Sequence, residues 1–312
     1  MNISNSRIKD ALSGLSTVLH GKDDALIKVL ACIFSGGHLL LEDLPGLGKT
    51  TLAIAVARLL GLKFGRVQCT NDLLPTDVTG LNIFKMEKGE FEFHAGPIFN
   101  NLVLVDEINR ATPKTQSALL EAMGEEQATI DGTTYRLPRP FFVMATQNPV
   151  EHSGTFPLPE SQMDRFMMKV SIGYPPRVAE REILRVGSRK SVLDDLPAMF
   201  DPEEILTIQK TIEETIRVSD KIIDYILNVT EKTRAHPDIA AGISTRGAMS
   251  LLSCAKTAAW MQGREYVLPE DVKAIAPDTL LHRIQLRQGM EPVESVKKEI
   301  LHAIFQETPT VA

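Results

Sequence analysis

The sequence is poor in the residues that staple, coordinate or span. Its three cysteines, Cys32, Cys69 and Cys254, stand far apart and are odd in number. No two have metal-ligand spacing, so reduced thiols are expected rather than a disulfide framework or a thiolate zinc site. Aromatic residues make up 5% of the chain, with a single tryptophan, and few stand beside basic residues. Stacking platforms for single-stranded nucleic acid are therefore not visible. There is no excess of positive charge either. The formal net charge is −6, whereas nucleic acid or an acidic membrane usually demands a basic stripe. No apolar run reaches the roughly 18 residues of a helical membrane span. The start, MNISNSRIKDALSGLS, lacks the apolar core of a signal peptide. The histidines at 20, 38, 94, 152, 236, 282 and 302 form no HxxxH pair or His/Cys cluster, and no G-x-S-x-G elbow occurs. Zinc and serine-hydrolase chemistry drop out, and a soluble cytoplasmic protein is expected.

What is present is an ordinary globular composition, 43% hydrophobic and 24% charged over 312 residues. That length suits about two domains of roughly 150 residues each. In the first half short apolar runs alternate with amphipathic stretches, the pattern of a parallel sheet covered by helices. Leu39-Leu40-Leu41, Leu102 to Val105 and Phe141 to Ala145 read as buried strands, and Thr51 to Leu60 and Gln116 to Met123 as helices. Two insertions interrupt the alternation. Glu90-Phe91-Glu92-Phe93, followed by Gly96-Pro97, resembles one arm of a hairpin. Residues 127–137 carry Asp131-Gly132, a strong hairpin turn. The plainer reading of both is a sheet extension that only packs. Tyr174-Pro175-Pro176 blocks helix and marks a boundary, giving domains 1–175 and 176–312. Beyond it Arg177–Val186, Pro202–Glu214, Asp220–Thr233, Thr245–Met261, Pro269–Ala276 and Val293–Phe305 all read as helices, so the second domain is expected to be all-α.

The chemistry concentrates at strand ends. Leu39–Thr51 (LLLEDLPGLGKTT) is a strand, a tight loop and a helix start. Gly46 and Gly48 allow backbone N–H groups close to phosphate oxygens. Lys49 supplies a point charge to the β- and γ-phosphates, and the Thr50 hydroxyl can ligate Mg²⁺. Pro45, Leu47 and Thr51 complete the expected nucleotide contacts. The usual pattern has glycine six residues before the lysine; Asp43 stands there instead. Asp tolerates left-handed backbone, but its carboxylate would repel phosphate, so it is expected to point away or cap the loop. Leu102–Val105 runs into Asp106-Glu107, and acids beyond the carboxyl end of such a strand face the ligand. Asp106 is the expected Mg²⁺ holder and Glu107 the general base for the attacking water. Asn148 ends the third strand, where its amide can hold that water; a turn asparagine before Pro149 is the alternative. Arg165, far from the loop in sequence, suits a neighbour's γ-phosphate, the alternative being a pair with Asp164. Arg246, at a helix start in the second domain, could reach the γ-phosphate from the lid side, or be an ordinary surface arginine.

With these residues in this order the chain resembles the AAA+ ATPases, and more specifically the MoxR family. The matching stretches are LLPTDVTG (73–80), GPIF (96–99), LVDEINRATPKTQSALLEAM (104–123), MATQNP (144–149), GTFPLPESQMDRF (154–166), STRGAMSLL and GREYVLPEDV. The resemblance implies a P-loop αβα sandwich followed by an all-α lid, with ATP and Mg²⁺ bound. It makes Lys49 and Thr50 Walker A residues, Asp106 and Glu107 Walker B, Asn148 sensor 1, Arg165 the arginine finger and Arg246 sensor 2. Gly21 and Lys22 fall where this clade places adenine-side contacts. The two hairpins resemble its helix-2 and pre-sensor-1 insertions, which line the ring pore or its face. The family further implies a hexameric, chaperone-like ATPase with a protein client and a partner bearing a von Willebrand factor A domain.

Other functions compete with an ATP-driven remodelling enzyme. One is a nucleotide-switched scaffold; another is a magnesium-chelatase-like motor subunit. A nucleic-acid motor shares the inserts, through minichromosome-maintenance helicases. The acidic balance and the Asp131-Gly132-Thr133 tip, without Lys or Arg, argue against that last reading.

Overall fold

The computed structural model describes residues 3–149, 154–187, 193–287 and 294–309. Helices α1 (Ser6–Val18) and α2 (Asp23–Phe34) lead into β1 (His38–Glu42), α3 (Lys49–Leu59) and β2 (Phe64–Gln68). Helix α4 (Pro75–Thr79) precedes a hairpin of β3 (Gly80–Lys85) and β4 (Glu90–Ala95). Next come β5 (Leu102–Asp106), α5 (Pro113–Glu125), the hairpin β6 (Gln127–Ile130) and β7 (Thr133–Arg136), and β8 (Phe142–Gln147). The chain continues through α6 (Glu160–Met163), β9 (Phe166–Val170) and α7 (Arg177–Val186). Its C-terminal part holds α8 (Pro202–Thr215), α9 (Asp220–Ala235), β10 (Ile239–Ala241), α10 (Thr245–Met261), α11 (Pro269–Leu280), β11 (Gln285–Leu286) and α12 (Glu294–Glu307).

Five strands pair in the order β2-β5-β8-β1-β9, all parallel. Helices cover both faces, which is why the central strands read as unbroken apolar runs. Period two still sorts their side chains. Leu39, Leu41, Leu102, Leu104, Phe142 and Met144 enter one core. Leu40, Val103, Val105, Val143 and Ala145 enter the other. The first core runs on without a break into the C-terminal helices, through Leu251, Cys254, Leu280 and Ile304. No helix among the described residues is long and apolar enough to cross a membrane.

Both expected hairpins form, and they are joined to each other. Phe93 of β4 stacks on Tyr135 of β7 at 4.2 Å, and Asn82 Nδ2 donates to Asp131 Oδ2 at 2.8 Å. The second half departs from the all-helical expectation in one detail, an antiparallel ladder in which Ile239 of β10 pairs with Leu286 of β11. Strands of three and two residues are too short to leave a readable period. Helix α11 also runs past the expected stop at Ala276 and holds Pro277 in its interior. The carbonyl that Pro277 leaves without a donor belongs to Lys273, which is exposed, so water can replace the missing bond. The expected start of the last helix, Val293, lies outside the described residues.

Two imidazoles, His38 half-buried and His282 buried, pin these layers together. On β1, His38 Nδ1 accepts from the Val143 amide at 3.0 Å while Nε2 meets the Met123 carbonyl at 3.1 Å. His282 Nε2 meets the Phe166 carbonyl at 3.0 Å, tying the C-terminal part to β9. Burial lowers the pKa of both, and for His282 the Arg283 charge adds to it. In the unfolded chain each imidazole titrates near 6.5. Below that pH the unfolded state binds more protons than the folded one. Stability is thus complete above about pH 6.5 and falls as pH drops below it, by up to roughly 1.4 kcal/mol per pH unit per histidine. Urea midpoints at pH 7.5, 6.5 and 5.5 should decline in that order; a flat series would show that neither ring is buried neutral.

Candidate active site

The site forms where β1 stops. Residues 43–48 turn the chain, and Gly46 (φ 82°) and Gly48 (φ 86°) take left-handed conformations that side chains disfavour. Gly48 also stands at the N-cap of α3 and offers no side-chain oxygen, so the first amides of that helix keep their donors for an anion. Lys49 Nζ lies back over the loop on the Asp43 carbonyl at 2.6 Å. Burial lowers its pKa, opposed by Asp43, Asp106 and Glu107.

Asp43 points away from the loop, as electrostatics requires. Its carboxylate accepts from Ser171 Oγ at 2.7 Å and from the Ile172 and Gly173 amides at 2.5 and 3.0 Å. It thereby ties the glycine loop to the end of β9. Replacing it by the glycine of the usual motif strands the buried Ile172 amide and takes their acceptor from the Gly173 amide and the Ser171 hydroxyl. Asp43→Gly should lower unfolding free energy by about 3 kcal/mol or more. Urea denaturation is the check, and wild-type stability would show that the loop does not depend on this anchor.

Across the sheet, β8 separates β1 from β5, so residues ending all three strands face one space. Thr146 bridges two of those ends. Its hydroxyl accepts from the Glu107 amide at 2.9 Å and donates to Asp106 Oδ1 at 3.3 Å. Glu107 itself is left-handed (φ 56°), and Gln68 Nε2 and Arg110 Nη1 hold its Oε2 at 3.1 and 3.0 Å. A cavity of about 380 Å³ is lined by Pro45, Gly46, Gly48–Thr51, Arg66, Gln68, Asp106, Glu107, Thr146 and Asn148. Asn148 is buried there. A second cavity of about 660 Å³ adjoins it, sharing Gly46, Gly48, Thr50 and Thr51 and reaching Leu19, His20, Lys22, Leu47 and Ile183. The pair has the form of a polar phosphate end and a more apolar base end.

The remaining expected residues sit outside that focus. Gly21 (φ 69°) packs so closely on Pro176 that a Cβ would fall 2.8 Å from its ring. The Lys22 ammonium donates to the Ile172 and Gly173 carbonyls at 2.9 and 2.5 Å, so its charge serves the backbone although its stem lines the larger cavity. Arg165 and Arg246 line neither cavity. Arg165 does not pair with Asp164; its guanidinium donates to the Leu120 carbonyl of α5. Asp164 is taken instead by Arg283 Nε at 2.7 Å and by Ser244 Oγ, 3.1 Å from Oδ2. Ser244 caps α10 by accepting from the Gly247 amide, and Arg246 is exposed on its first turn.

Arg66, Gln68 and Thr146 were not anticipated. A signal existed for two of them, since Arg66 and Gln68 alternate in Phe64–Gln68 and so share one face of the strand. Cys69 lies beside the acids, but burial, and behind it Asp106 and Glu107, pushes its thiol up to about 12 and keeps it neutral. No group of three or more His, Cys, Asp or Glu able to hold a metal occurs among the described residues.

Residues 38–168 match the model of the ATPase family associated with various cellular activities, and residues 231–304 that of the AAA lid domain. The chain is 44% identical over 299 residues to the uncharacterised protein YeaC of Bacillus subtilis, covering 94% of this chain and 93% of that one. It is 38% identical over 309 residues to Chaperone MoxR1 of Mycobacterium tuberculosis, covering 96% and 81% respectively. The solved structure of a candidate ATPase from Cytophaga hutchinsonii has a TM-score of 0.89 at 38% identity, covering 98% of this chain and 96% of that one. With a glycine loop, paired acids at a neighbouring strand end and relatives along nearly its whole length, the chain belongs to the MoxR family of AAA+ ATPases.

Proposed function

We propose that this protein hydrolyses ATP to ADP and phosphate as one subunit of a ring, and uses the turnover to remodel or mature a client protein. One observation carries the chemical half. Lys49, Thr50, Asp106, Glu107 and Asn148 meet on a single cavity at the open start of α3. The residues present fit ATP with Mg²⁺. That ion seldom uses an all-protein cage; one or two protein oxygens plus phosphate and water suffice. Thr50 Oγ1 and Asp106 would supply them. Bound there, Mg²⁺ would supply positive charge that offsets the charge of the phosphates.

The chain's own residues divide the remaining work. Lys49 leaves the Asp43 carbonyl for the β- and γ-phosphates, joining the loop amides. Glu107 accepts the proton of the attacking water, and Asn148 holds that water without adding charge. The left-handed backbone at Glu107, costing roughly 1–2 kcal/mol, supports a positioned catalytic group, because strain of this kind collects at functional sites. Thr146, Gln68 and Arg110 hold it there.

The ring half rests on the two arginines outside the cavities. Arg165 is proposed to complete a neighbour's site, and Arg246 to reach the γ-phosphate from the lid side. Hexameric order and a von Willebrand factor A partner rest on the family resemblance, and a cytoplasmic location on the three separated cysteines. The division into a nucleotide-binding domain to residue 175 and a lid beyond it rests on the Tyr174-Pro175-Pro176 boundary. The relative named Chaperone MoxR1 supports a protein client. The net charge of −6 favours such a client over nucleic acid.

Lys49→Ala should abolish tight ATP binding in a calorimetric titration, since it removes a sheltered charge from the phosphates. Glu107→Gln should keep ATP and lose about 10²–10⁴ in single-turnover rate, the range of general-base catalysis. Wild-type affinity in the first or wild-type turnover in the second would remove that residue from the mechanism.

Arg165→Ala should bind ATP and hydrolyse it poorly; a supplied arginine is worth roughly 10³–10⁵ in GTPases. Mixing it with Lys49→Ala should restore part of the activity, because an intact Lys49 site can then meet a neighbour's intact Arg165. If labelled subunits exchange and activity stays absent, Arg165 is not shared between subunits.

A further inference from the structure

The smaller cavity contains a cation that the proposed mechanism leaves without a task. Arg66 lies on β2, at the edge of the sheet, where the register sets Gln68 beside Asp106. Its Nε and Nη2 both reach Asp106 Oδ2, at 2.9 and 2.8 Å, and Nη2 also donates to Gln68 Oε1 at 3.0 Å. Thr146 holds the other oxygen, Oδ1. Both oxygens of Asp106 are therefore engaged by the protein. The Arg66 side chain is nevertheless 50% exposed and lines the cavity with Lys49, Thr50, Glu107 and Asn148.

Two cations compete for Oδ2. Magnesium demands oxygen at about 2.0–2.1 Å in near-octahedral order, which a guanidinium resting on the same oxygen obstructs sterically and by its charge. A divalent ion that Asp106 ligates directly through Oδ2 displaces Arg66. The displaced guanidinium then needs another anion. Glu107 is the nearest by sequence, but Arg110 and Gln68 already hold it. In a site occupied by nucleotide, the terminal phosphate is the anion left, and the planar guanidinium fork suits phosphate oxygens.

We propose that Arg66 exchanges partners within its own subunit. It holds Asp106 before nucleotide enters and passes to the terminal phosphate of a nucleoside triphosphate as the divalent ion takes Asp106. Arg66 thereby makes the site discriminate triphosphate from diphosphate. The inference rests on the ATP reading above and deepens it.

The test measures magnesium-ATP and magnesium-ADP affinities by calorimetry in the Glu107→Gln protein, with Arg66 intact, Arg66→Ala or Arg66→Lys. Arg66→Ala should weaken ATP binding about tenfold to a hundredfold, the range for a charge-assisted hydrogen bond. ADP affinity should stay equal or rise, because freeing Asp106 no longer breaks an ion pair. Arg66→Lys, which keeps the charge and loses the fork, should recover part of the ATP affinity. Equal weakening of both nucleotides, or a change under about threefold in their ratio, overturns the proposal. If the Arg66-intact protein binds neither nucleotide, the ATP reading falls and this inference falls with it. If it binds both and Arg66→Ala leaves their ratio unchanged, only the Arg66 inference falls. Half exposure on an edge strand makes Arg66 a safe position to replace, and melting curves confirm the fold.

Discussion

Three carboxylates, Asp43, Asp106 and Glu107, gather at the carboxyl end of one parallel sheet, and the local architecture is the means of keeping them apart. Like charges repel, the more so where water is partly excluded. Each acid is handled differently. Asp43 is drawn out of the loop by two amides and a hydroxyl from the end of β9. Asp106 shares its oxygens between Arg66 and Thr146. Glu107 is turned by a left-handed backbone toward Gln68 and Arg110. Lys49, facing all three, loses part of its affinity for protons to burial and regains some from their charges. What remains is a space whose lining offers backbone donors and two cations, the complement of a polyphosphate.

The same constraint reaches the C-terminal part. Glu42, the last residue of β1, takes Lys169 Nζ at 2.6 Å, and that ammonium also meets Glu294 of α12 at 2.8 Å. An acid at the end of the glycine-loop strand is thus neutralised from the edge strand β9, and the ion pair is completed by the last helix. Asp43 uses Ser171, Ile172 and Gly173, just past the end of that strand. Strand β9 therefore links loop and lid, although it contributes no side chain to the smaller cavity.

How much of this was legible depended on how local each signal was. The three central strands could be read because both of their faces are buried, leaving apolar runs that end in Asp106-Glu107 and Gln147-Asn148. Helices such as Arg177–Val186 and Thr245–Met261 carry their own start signals, proline before one and Ser244 before the other. The edge strands were not anticipated. Phe64–Gln68 and Phe166–Val170 expose one side, and Arg66 and Lys169 interrupt their hydrophobicity. Glycine spacing and paired acids announced the phosphate end of the site. The Arg66–Asp106 and Asp43–Ser171 contacts join residues 40 and 128 positions apart, so strand order had to be known before either could be seen.

One carboxylate also joins the surroundings of two arginines that are distant in sequence. Arg165 sits in the turn before β9, and Arg246 in the first turn of α10. Between them stands Asp164, whose carboxylate takes Ser244 Oγ from the start of α10 and Arg283 Nε from the residues after α11. The Arg283 side chain is 2% exposed and its guanidinium also donates to the Phe166 and Met167 carbonyls, so its end of the contact is buried and directional while Asp164 is partly exposed. Removing one partner of such a pair leaves an uncompensated charge, so the contact resists separation even where its net worth is small. The turn bearing Arg165 and the helix start bearing Arg246 therefore share one anchor. A hinge between sheet and C-terminal helices that opened at this contact would break the Asp164 cluster first. Motion that preserves the cluster carries both arginines together, relative to the glycine loop and to any neighbouring subunit.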